Sequence, residues 1–226
     1  MNSTSGSLRA GYAGLALLDS WLAGRPPHRR RARLLTKPLL MPMLAGSLLT
    51  DPRARDARLR RSTLLAQAGA WGGDVALLGA GTRPFLAGVG LFAAGHLGSL
   101  AGMRRLAGPT PLRQTPGGRV AAGIWLTTAP VLAYAVARRG PVLVAPVLAY
   151  AALLATLAAR ASHLDPDLPV DARRRAAAGA WTFLVSDTLL ATRTFVLAAP
   201  NPGLDRAVML TYTSAQLLLS EAATRA

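Results

Sequence analysis

The stretch PVLVAPVLAYAALLATLAA at 141–159 carries no charged residue. A helix rises 1.5 Å per residue, so about 20 apolar residues cross a hydrocarbon core of about 30 Å. The stretch runs too long for a strand and shows no polar/apolar alternation, so it reads as a membrane helix and not as strands. The neighbouring stretch 119–137 has Arg119 as its one charge, at its start. Working outward from this pair gives eight candidate spans: 8–24, 34–50, 62–80, 84–102, 119–137, 141–159, 176–198 and 206–222. The first is short and contains Asp19; without it the chain has seven. It does not read as a signal peptide, because Asp19 interrupts the apolar region and no A-x-A site follows. The expected fold is all-α: one polytopic membrane helix bundle occupying 1–226 as a single transmembrane domain.

Composition agrees. Charged residues make up 16% of the 226 and apolar ones 51%, against about 25% charged in soluble domains. The net charge is +16, with Lys+Arg 26 against Asp+Glu 10, and the single Lys is Lys37. A basic pI invites a nucleic-acid reading. Here the arginines sit in short clusters between apolar runs, such as RPPHRRRAR at 25–33 and DPRARDARLRR at 51–61, so no nucleic-acid partner is expected. With no Cys, disulfides, thiol catalysis and Cys-based zinc sites are excluded. The loops are too short for a second domain, and no internal repeat of the transporter kind is present. Counting arginines near the span ends gives 15 on the side of both termini and 9 on the other. The positive-inside rule therefore places both termini in the cytoplasm of a cell membrane. Abundant Ala and Arg with one Lys point to a GC-rich bacterial genome.

An ionisable group in hydrocarbon costs at least about 2.5–3.5 kcal/mol, so each one inside a span needs a reason. Those present are Asp19, Lys37, Asp74, His96, Asp187, Arg193 and Glu221. Asp19, Arg193 and Glu221 lie near span ends, where snorkelling or headgroup contact accounts for them. Counted at 1.5 Å per residue from the cytoplasmic ends, Asp74 lies about 18 Å deep, Asp187 about 17 Å and Lys37 about 20 Å. Three groups on three helices thus share one layer. Tyr212 falls about 15 Å deep and His96 about 9 Å, with Gln216 level with His96. Tyr212, Gln216 and Ser220 form one helical stripe, and Gln67 shares a face with Asp74. In AGAWGGD at 68–74, Gly69, Gly72 and Gly73 permit close helix approach.

A buried Lys–Asp pair that only joins helices accounts for Lys37 and one carboxylate. It does not account for the second, because two carboxylates with one cation leave a charge uncompensated. One carboxyl is then expected to hold a proton, and a protonated with an ionised carboxyl makes an acid/base pair. Which is which cannot be read from spacing. Other chemistries fit less well. A zinc hydrolase wants several His, and His96 alone is within a span, His28 and His163 being in loops. No G-x-S-x-G, P-loop or dinucleotide fingerprint in its strand–helix context occurs, and Ser186 diverges from Asp187 by about 100° around its helix.

Five segments together carry a resemblance: KPLLMP at 37–42, GGDVALL at 72–78, GLFAAGH at 90–96, GAWTFLVSDTLL at 179–190 and YTSAQLLL at 212–219. In this order and spacing the sequence resembles the YhhN family, whose animal members are lysoplasmalogenases. It departs at Ser99, where the family often has an aromatic residue, and in the sixth span, where the motif is reduced to Tyr150 followed by Ala and Leu. The resemblance implies a membrane hydrolase that cleaves the vinyl ether bond of a lysoplasmalogen to a fatty aldehyde and a glycerophospho-alcohol, with Asp74 and Asp187 as catalytic groups. Lys37 would then keep one carboxylate ionised or hold substrate oxygen. His96 would relay protons or position water, and Tyr212 and Gln216 would orient the glycerol hydroxyl. This chemistry requires no metal or organic cofactor, and its partners are a lysophospholipid substrate and membrane lipids. Many GC-rich bacteria lack plasmalogens, so another ether or enol lipid is a candidate substrate. The alternatives are a small transporter or lipid flippase using the same Lys/Asp layer, and a structural membrane protein.

Overall fold

Helix starts follow local chemistry in the computed structural model, which describes residues 3–26 and 31–226. His28, Arg29 and Arg30 of the first cationic loop lie outside the described residues. Among these residues there are eight α-helices: α1 Ser3–Ala23, α2 Arg33–Thr50, α3 Arg60–Ala76, α4 Thr82–Arg105, α5 Pro116–Ala137, α6 Val144–Ala161, α7 Val170–Ala191 and α8 Pro202–Ala223. Two of them open on Pro at the first helical position behind a polar cap. Thr115 accepts from Gly118 N at 3.0 Å ahead of α5, and Asn201 accepts from Leu204 N at 2.9 Å ahead of α8. Proline lacks only an N–H that a helix start leaves free anyway. A short 3-10 turn, Pro141–Leu143, leads into α6.

Each expected span contains a helix, with differences at the ends. α3 stops at Ala76 instead of 80, and the chain turns back through Gly81 at φ 95°, a left-handed conformation open to glycine. α7 begins at Val170, so Arg173, Arg174 and Arg175 are helical and not in a loop. Helix hydrogen bonding does not end where the apolar run does, and Asp171 in the first turn suits the helix dipole. α7 closes in a π turn, Thr192–Val196, which apolar patterning does not announce.

Consecutive helices pair as antiparallel hairpins, α1–α2, α3–α4, α5–α6 and α7–α8. α2 also packs on α3, α4 on α6, α6 on α7, and α8 back on α1, while α5 leans chiefly on α6. One core gathers Tyr12, Leu40, Met41, Leu44, Phe92, Phe183 and Tyr212 from five helices. The glycines bring α3 against α4: a Cβ on Gly69 would lie 2.7 Å from Gly95 Cα, and one on Gly95 would lie 2.8 Å from Ala66 O.

α2 contains Pro38 and Pro42. Pro42 has no N–H to give the Pro38 carbonyl four residues back, which would leave that acceptor unmet in an apolar setting. Trp71 Nε1 donates to it at 3.0 Å from α3. Trp71→Phe is therefore expected to lower stability by about 1 kcal/mol, the net worth of one such bond. A lowered melting midpoint in detergent with unaltered helix content would show it.

The three span-end charges each have an ion-pair partner. Asp19, 0% exposed, receives Arg33 Nη2 at 3.0 Å and Thr36 Oγ1 at 2.6 Å. Arg193 meets Asp205, and Glu221 meets Arg9 at 2.7 Å and also Arg225. Arg9 also reaches Asp51 at 3.0 Å, and Arg53 reaches it at 2.7 Å. Hydrogen bonding from the Arg53 side chain holds the Asp51 carboxyl well below the usual carboxylate range, with Arg9 adding to it. The folded value lies below the unfolded one of about 3.9. Its stabilisation is therefore complete above about pH 5 and disappears as pH falls through the folded value. Thermal melts should be flat in this contribution from pH 7 to about 5 and decline in acid; Asp51→Asn should remove that share of the decline.

Three helical segments, Thr82–Arg105, Pro116–Ala137 and Pro141–Ala161, are long and apolar enough to cross a membrane by length and composition. The protein is an all-α membrane helix bundle.

Candidate functional site

Asp74 enters the bundle from α3 and is 2% exposed. Its position is set by Gly73, where a Cβ would strike the Phe92 ring. Two groups meet its carboxylate. Lys37 Nζ, from α2, lies 3.1 Å from Oδ1, and Tyr212 Oη, from α8, donates to Oδ2 at 2.7 Å. Lys37 is itself buried, so two of the three ionisable groups singled out in the sequence close into an ion pair here. The α8 backbone beside Tyr212 is held by Tyr12 of α1, whose hydroxyl donates to Thr213 O at 2.8 Å.

Asp187 has different company. Tyr150 Oη, from α6, donates to its Oδ2 at 2.7 Å, and His96 Nε2, from α4, lies 3.2 Å from the same hydroxyl. The three form a chain, imidazole to phenol to carboxyl. Asp187 and Tyr150 are half-buried, whereas His96 is buried. Ser186 turns away and donates to Val208 O at 3.1 Å, fastening α7 to α8.

Phe183 touches both halves, edge-on to Tyr212 at 5.6 Å and to His96 at 4.6 Å. Phe92 adds edge contacts to Tyr212 at 6.0 Å and to Phe183 at 6.4 Å. Two carboxyl sites therefore flank one aromatic cluster. Such a cluster excludes water and presents ring faces, whose negative quadrupole favours cationic groups.

The structure brings Lys37, Asp74 and Tyr212 together and sets His96 with Asp187. The Tyr212 hydroxyl is committed to Asp74. Gln216, one turn along α8, faces a small cavity of about 10 Å³ with Ser62, Thr63 and Ser99, room for about one water. Gln67 is 1% exposed, and neither of its side-chain polar atoms has a partner. A groove of about 410 Å³ between α5 and α6, lined by Ala121, Trp125, Ala155 and Ala159, holds none of the carboxyls. Among the described residues no three of His, Asp and Glu gather as a metal site would need. Tyr150 and Phe183 were not singled out by sequence reasoning as site residues. The same depth count carried into the sixth span finds Tyr150, about 14 Å from the end of the 141–159 stretch and the one polar side chain in its middle turns.

An all-α membrane bundle with two separately partnered carboxyls around an aromatic cluster is the class that fold and site define. The chain belongs to the YhhN family, whose model matches residues 32–223. That match takes in α2 to α8 and every residue of both carboxyl sites. Neither a curated protein nor a solved structure matches the chain.

Proposed function

We propose that the protein is a membrane-embedded hydrolase of vinyl ether lysolipids, cleaving a lysoplasmalogen-type substrate to a fatty aldehyde and a glycerophospho-alcohol. The observation that carries this reading is the pair of carboxyls, Asp74 and Asp187, linked through one aromatic cluster, each with its own hydrogen-bond donor. Vinyl ether hydrolysis starts with proton transfer to the β-carbon and passes through an oxocarbenium ion. Enzymes that make such cations use two carboxyl groups, one as acid and one as ionised partner. The aromatic cluster suits the cation and keeps bulk water away from it. The chemistry asks for no metal or organic cofactor.

All eight helices span the bilayer in this proposal. Its support is the apolar side chains turned outward along them, among them Leu17 (65% exposed), Leu35 (73%), Leu65 (63%) and Leu126 (64%), a surface that calls for lipid. Both termini face the cytoplasm of a bacterial cell membrane, where the arginine-rich loops attract the substrate's phosphate. The test is aldehyde release from lysoplasmenylethanolamine by the purified protein in detergent. Release supports the proposal. Intact substrate after incubation with well-folded protein would overturn it.

A further inference from the structure

We infer that Asp187 is the proton donor of the pair and Asp74 its resident carboxylate, with Tyr150 as the positioning residue that joins His96 to the donor. This rests on the proposed vinyl ether hydrolysis and gives each carboxyl one role. The geometry carries it. Every buried carboxyl among the described residues faces a cation: Asp19 faces Arg33, Asp51 faces Arg9 and Arg53, Asp205 faces Arg193, Glu221 faces Arg9 and Arg225, and Asp74 faces Lys37. Half-buried Asp187, in the same membrane layer, meets only the neutral hydroxyl of Tyr150. An ionised carboxyl without a counter-charge in an apolar interior is costly, and taking up a proton removes the cost. With Tyr150 donating to Oδ2, Oδ1 is left to carry that proton. His96 completes the chain by donating from Nε2 to the phenol oxygen, which fixes the tautomer with the proton on Nε2. Asp187 is also the less buried of the two.

The steps then balance. Asp187 gives its proton to the β-carbon as the π electrons form the new C–H bond, leaving an oxocarbenium ion beside the Asp74 carboxylate. Water adds to the cationic carbon and passes a proton to Asp74, giving the hemiacetal. The hemiacetal hydroxyl returns a proton to Asp187 as the C–O bond to glycerol breaks. Asp74 protonates the departing glycerol oxygen. Aldehyde and alcohol leave with both carboxyls in their starting states.

Infrared spectroscopy of the resting protein at pH 7 tests this without turnover. The carbonyl stretch of a protonated carboxyl should be present in the wild type and lost in Asp187→Asn. It should persist in Lys37→Met/Asp74→Asn, which removes the ion pair together and leaves the local net charge unchanged. Tyr150→Phe, a milder change, should shift the band by deleting its hydrogen bond, and Tyr212→Phe should leave it in place. Absence of the band from the wild type would overturn the assignment. So would its loss in the double variant with retention in Asp187→Asn, or a shift with Tyr212→Phe alone. Aldehyde release on the same preparation separates the two proposals: a band without release overturns the vinyl ether reaction and leaves the proton on Asp187.

Discussion

Asp187→Asn should release no measurable aldehyde while folding as well as the wild type. Loss of a positioned acid or base lowers rates by about 10²–10⁴-fold, and Asn can neither donate to carbon nor recover a proton from the hemiacetal. Its amide oxygen still accepts from Tyr150, so the hydrogen bond at 2.7 Å has a replacement and the melting midpoint should hardly move. Asp74→Asn should be as inactive but much less stable. It leaves the Lys37 ammonium, buried and 3.1 Å from the lost carboxylate, without a counter-charge. Breaking a buried pair from one side costs about 3–5 kcal/mol. Adding Lys37→Met should restore most of that stability and none of the activity. Paired assays of aldehyde release and thermal unfolding read both effects. Residual turnover near the wild-type rate in either Asn variant would remove the two-carboxyl mechanism.

Gly95→Val is expected to be the most damaging change away from the carboxyls. Its Cβ would stand 2.8 Å from Ala66 O and 3.3 Å from Gly69 Cα. These are backbone atoms of α3, which cannot rotate aside as a side chain can. Forcing such a contact costs about 1–3 kcal/mol, and the relief available is to push α3 and α4 apart. That movement would also separate Asp74 and Gly73 on α3 from Phe92 and His96 on α4. The variant should therefore lose stability and activity together. Gly90→Val on the same helix, where a Cβ meets nothing within 4 Å, should lose little of either. Equal melting midpoints for the two variants would contradict the close packing of α3 on α4.

Much of this architecture is legible along the chain. Length and apolarity of each stretch are local properties, so 141–159 announces its helix without help from neighbours, and the loop arginines mark its ends. Lys37, Asp74 and Asp187 are legible as candidates too, because an ionisable residue inside an apolar run needs a reason to be there. Helix ends are less so. The π turn at Thr192–Val196 and the helical start of α7 at Val170 fall where hydropathy carries no signal, the first of them at the Arg193–Asp205 ion pair.

Depth is one coordinate, and direction around each helix and the identity of its neighbours are the others. Nothing local tells Lys37 to turn to Asp74 instead of Asp187; that follows from α2 packing on α3. Tyr150 reaches Asp187 and His96 because α6 lies between α4 and α7, with α4 packing past the helix that follows it, α5, onto α6. The chemistry-bearing residues are thus written in the order of the chain. The pairing that makes one carboxyl unlike the other is a long-range contact, set by which helix surfaces bury best against each other.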